Sequence, residues 1–180
     1  MNAERLQAWL DELLNTSAQQ WTLRAVVVLA PLGALAAVTA ELGRWWPFGA
    51  VLVAALAIAA AFRPDSHTAL LVIAIVGWHV LATVDRVDSP WIPVVTCCVL
   101  VHHSVVALTA TFPVGGVVPT PTLASWAVRT GIVGLASVAM WALVVVMERR
   151  DAAGNGLLTT LAVVIVGASA LLIRSRSLDG

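Results

Sequence analysis

The hydrophobic positions form one short striped segment followed by six longer unbroken runs. In the opening stretch "NAERLQAWLDELLN", Leu6, Trp9, Leu10, Leu13 and Leu14 recur at the spacing of one helix face. Glu4, Gln7, Asp11 and Glu12 take the opposite face, and Asn2 is placed to cap the start. An amphipathic helix is therefore expected within residues 1–20. Its polar face is acidic, so attraction to anionic lipid does not hold it on a membrane. Docking on the chain's own bundle, docking on a partner, and lying in the interface all stay open.

The six runs cover residues 21–40, 47–62, 68–84, 91–111, 126–147 and 157–173, and a short polar tail follows at 174–180. Each run is about long enough to cross a hydrocarbon core of ~30 Å as a helix. Pro31 falls near the middle of the first and predicts a kink. "ELGRWWP" ends that run, and Pro47 suits the first turn of the second. "RPDSH" and "DRVDSP" supply the next two turns, with Ser89 as an N-cap and Pro90 just inside the fourth helix. "FPVGGVVPTPTLAS" reads as a longer Pro/Gly loop. The second and third runs are short for spans, so a five-span arrangement with one of them re-entrant is the alternative. The fold class read from this pattern is all-α: a polytopic transmembrane helix bundle of about six spans, preceded by the amphipathic helix.

Tryptophans support the segmentation. Trp21, Trp45, Trp46, Trp91 and Trp126 lie at expected helix ends, where an indole prefers the headgroup level. Trp78 and Trp141 fall nearer the midplane and are expected to pack. An N-inside orientation puts Arg5, Arg24, Arg63, Arg174 and Arg176 in the cytoplasm but Arg149 and Arg150 outside. The inverted orientation repairs that loop and loses both termini, and N-inside is preferred.

Composition agrees with the pattern. Of 180 residues, 60% are hydrophobic and 11% charged, with a mean hydropathy of +0.94. A soluble domain carries about 25% charged residues. All ten cationic side chains are arginine, which with the Ala/Val richness points to GC-rich bacterial coding and an inner (plasma) membrane location. The formal net charge is zero, which gives no basis for a nucleic-acid partner. Glu4, Asp11 and Glu12 replace the basic start of a cleavable signal, so the first run is expected to stay in the mature chain.

Polar groups at mid-membrane depth are functional candidates because they are costly there. They are His79 in the third run, and Cys97, Cys98, His102 and His103 in the fourth, within "TCCVLVHHSV". At ~100° per residue, Cys98 and His102 share a helix face while Cys97 and His103 turn about a quarter-turn aside. That face offers two ligands, whereas catalytic zinc takes three protein ligands and structural zinc four. His79 is the third candidate, from an antiparallel neighbour expected within ~5 Å of the same depth. Cysteine in an apolar helix ordinarily packs as a small hydrophobe, and membrane histidines commonly bond to a facing backbone. A bis-histidine haem fits poorly between helices packed ~8–10 Å apart. Gly33 with Ala37, and Gly131 with Gly134, have the spacing of close helix packing. Asp85, Arg86 and Asp88 read as a solvated turn with local ion pairs, and Arg129 as an interfacial anchor beside Trp126.

No acidic residue falls at midspan, and no metalloprotease, P-loop or serine-hydrolase motif is present. The leading expectation is a non-enzymatic accessory, scaffolding or assembly subunit, with the bilayer and other membrane-protein subunits as partners. The alternatives are a small transporter or channel lined by His79 and His102, and an intramembrane redox protein holding haem or a transition metal.

Overall fold

A computed structural model describes residues 7, 15–64, 67–86, 88–113 and 116–148. They contain five α-helices and no strand: α1 (Ala18–Leu42), α2 (Pro47–Phe62), α3 (Thr68–Thr83), α4 (Trp91–Ala110) and α5 (Thr120–Glu148). Three of them, α1, α4 and α5, are long and apolar enough to cross a membrane, while α2 and α3 are apolar helices of 16 residues each. The sixth run, the tail and all of the expected N-terminal helix up to residue 14 except residue 7 lie outside the described residues. The chain divides into two compact units at Val138 and Ala139, and the second is described only over 139–148, the end of α5.

Helix boundaries follow local chemistry. α1 starts earlier than expected because Ser17 caps it: its Oγ accepts from the Gln20 backbone N–H at 3.2 Å. It ends at Gly43, whose φ of 63° is the left-handed region that favours glycine, and whose N–H closes onto the Thr39 carbonyl at 2.8 Å. Pro47 opens α2 at the position where a missing N–H costs nothing. α4 begins one residue later than expected, with Pro90 in the cap position instead of Ser89, whose Oγ still accepts from the Trp91 N–H at 3.3 Å.

The fifth helix departs from expectation. "TPTLAS" is not loop: α5 begins at Thr120, six residues before the expected 126. Pro121 sits in the first turn, where its lack of a donor is harmless, and the Leu123 N–H bonds back to the Pro119 carbonyl at 3.0 Å. At 29 residues α5 is about 44 Å long. It exceeds a ~30 Å hydrocarbon core by more than two turns, and neither Trp126 nor Arg129 stands at the helix end.

Within the first unit, α1 is the centre. It pairs most extensively with α4, then with α2 and α3, and α2 packs on α3. The core is built of Ala and Val: Ala34 and Val38 of α1 meet Val53 and Ala57 of α2, Val72 and Val76 of α3, and Val95 of α4. Small side chains let backbones approach, which is how helices associate where lipid tails are as apolar as the protein. A second cluster joins Val27, Ala60, Ala61, Ala69 and Val106, and a third joins Leu23, Leu108 and Val118. Gln19 fastens the segment before α5 to the start of α1. Its Nε2 donates to the Val118 carbonyl at 3.2 Å, and its Oε1 accepts the Val118 N–H at 2.7 Å.

Some packing expectations are corrected. Trp78 is 73% exposed, not packed inside. An added Cβ at Gly33 would meet the Cys98 Sγ at 3.5 Å, so this glycine does mark a helix contact. Gly131 has nothing within 4 Å, so its pairing with Gly134 marks no close contact at that position. The Asp85–Asp88 turn carries the expected ion pair, Arg86 gripping Asp88 with two bonds of 3.2 Å. Arg86 is 72% exposed, so the pair contributes ~0–1 kcal/mol.

Candidate functional site

The two-ligand face of α4 turns toward α1. Cys98 lies against Gly33, and His102 is fully buried with its Nδ1 2.8 Å from the Val27 carbonyl oxygen. A carbonyl only accepts, so Nδ1 carries the proton and donates. The partner is not arbitrary. In a regular helix the Val27 carbonyl would receive the N–H of the residue four positions on. That residue is Pro31, which has no N–H. His102 therefore supplies, from another helix, the donor that proline removes. In an apolar surround an orphaned backbone carbonyl is costly, and proline inside a membrane helix is tolerated where a neighbour re-satisfies the freed group. The Ala69 backbone also bears on the ring, but Nε2 forms no hydrogen bond.

His79 is elsewhere. It is half-buried in the last turns of α3 and stacks on the Trp46 indole, ring centroids 4.3 Å apart at an interplanar angle of 28°. Ala69, at the other end of α3, shares a cluster with the Val27 and Val106 neighbours of His102. His79 lies ten residues further along α3 than Ala69, or ~15 Å at 1.5 Å per residue. The expected ~5 Å depth difference is thus corrected: α3 is short and enters the bundle level with His102, so its far end carries His79 away.

The two flanking residues turn aside as the helical angle requires. Cys97 faces α5, its Sγ 3.9 Å from where a Cβ on Gly134 would stand. His103 is exposed on the outer surface of α4. Both cysteines are free thiols. Among the described residues no group of three His, Cys, Asp or Glu side chains is placed to hold a metal ion. The arrangement that the fold does assemble is a structural one, a proline gap in α1 closed by an imidazole from α4. The signal that would have found it is Pro31 itself, which names Val27 as the carbonyl in need of a donor.

Comparison with known proteins gives no guide. The chain matches no family model, no curated protein and no solved structure.

Proposed function

We propose that the chain is a polytopic protein of a bacterial inner membrane, crossing it about six times with its N-terminus inside, and acting without catalysis as an accessory, scaffolding or assembly subunit. The observation that carries this reading is His103. It stands exposed twelve residues into the 20-residue α4, a full turn and more from either end. An imidazole facing lipid at that depth is expensive, and such groups ordinarily face protein. A helix from another subunit gives it a partner. The surface of α5 supports the same reading, since only 6% of its most apolar 18-residue window is buried inside the chain.

His79 and His102 serve as structural residues, stacked and bonded within the bundle, and not as ligands of a resident metal or haem. Purified protein is expected to show neither a Soret band nor stoichiometric metal. Extraction in a mild detergent is expected to bring down one or more membrane proteins reproducibly. His103→Leu is expected to abolish that association while the chain stays folded, because the side chain is on the surface. Recovery of the wild type as a lone monomer would overturn the proposal. So would a His103→Leu chain that keeps every partner.

A further inference from the structure

At one end of the bundle, where α1 begins and where α2 and α4 end, the chain forms a half-open cavity of about 500 Å³. Gln20 and Arg24 of α1, one turn apart on one face, line it together with Phe62, Arg63, Thr109 and Phe112. Gln20 is 3% exposed, and its amide nitrogen has no hydrogen-bond partner. A buried donor without an acceptor is costly, and a bound ion is one of the arrangements that would satisfy it. Arg24 is 7% exposed, and its guanidinium carbon lies 4.7 Å from the Phe62 ring centroid and 5.4 Å from that of Trp21. The two rings hold the cation in place at the cavity wall. A guanidinium has five N–H donors, so an arginine with other partners can still take up another group. The described lining thus combines two guanidinium groups with an amide donor and carries no carboxylate. That donor set suits a tetrahedral oxyanion. Trp21 and Trp126, near the starts of α1 and α5, mark this end as headgroup level.

We propose that this cavity binds a phosphate group, that of an anionic phospholipid headgroup or of a small phosphorylated solute. Gln20, Arg24 and Arg63 donate to its oxygens.

The test has two arms on the full chain purified in a maltoside detergent. In the first, chain reconstituted into vesicles of phosphatidylglycerol and phosphatidylcholine is re-extracted, and retained lipid is counted by native mass spectrometry. In the second, inorganic phosphate is titrated against the delipidated chain. Retention of one phosphatidylglycerol per chain identifies the lipid source, and saturable phosphate binding without lipid retention identifies the solute; either supports the site. Gln20→Leu and Arg63→Gln are each expected to lower the occupancy about tenfold, the loss of one charge-assisted or buried hydrogen bond. Arg63 is exposed, so its replacement does not threaten the fold. Arg86→Gln, at the opposite end of the bundle, is expected to change nothing. Binding in neither arm overturns the proposal, as does an equal loss in Arg86→Gln.

Discussion

Replacing His102 with leucine is expected to destabilise the bundle by ~1–3 kcal/mol, the cost of a buried carbonyl left without its donor. Adding Pro31→Ala to that chain is expected to return most of the loss. Leucine nearly fills the volume of the imidazole, so the change removes a hydrogen bond more than it opens a cavity. What remains is the Val27 carbonyl, fully enclosed and with no N–H at position 31 to receive. Alanine at position 31 restores the helical donor, and the imidazole becomes dispensable. Pro31→Ala alone is expected to be neutral or mildly stabilising, since a carbonyl has two lone pairs and accepts both donors. The measurement is a double-mutant cycle on unfolding free energies in mixed micelles, with a coupling of at least ~1 kcal/mol expected. Simple additivity of the two changes would refute the assignment.

Gly49→Ala is expected to destabilise the chain, against what helix propensity alone predicts. Alanine in a helix interior is favoured over glycine by about 1 kcal/mol. At this position, however, an added Cβ would overlap ring atoms of Trp46, whose indole lies directly on Gly49. The ring must swing away, and its stack on His79 is lost with it. Overpacking of this kind costs ~1–3 kcal/mol, so the clash outweighs the propensity gain. The His79 ring protons sit in the ring current of Trp46, and their NMR shifts are expected to move toward exposed-histidine values. A Gly49→Ala chain that is as stable as wild type, with unmoved His79 resonances, would show that the indole does not rest there.

Much of the architecture was legible from local features. Observed α2, α3 and α4 match the runs 47–62, 68–84 and 91–111 to within one residue, because Pro47, Ser89, Pro90 and the charged turns act on the backbone where they stand. The start of α5 was misread because "TPTLAS" has loop composition, although a proline in a helix's first turn is as compatible with helix as with loop. The exposed Trp78 was misread for a different reason: depth along a helix says nothing of which way the side chain faces a neighbour.

By itself, then, the sequence determined the bounds of α2, α3 and α4, the apolar character of the described helices and the angular split of "TCCVLVHHSV". These depend only on residues near one another along the chain and on the 100° turn per residue. The tertiary structure decided that α4 presents Cys98 and His102 to α1 and not to His79 on α3. It set the depth at which α3 enters and joined His102 to a carbonyl 75 residues away. A helix fixes the direction of its side chains about its own axis, but which helix lies in that direction, and at what level, is settled by packing of the Ala and Val faces. Hence the stretch that looked most like a ligand site became, once α1 stood against it, the repair of a proline gap.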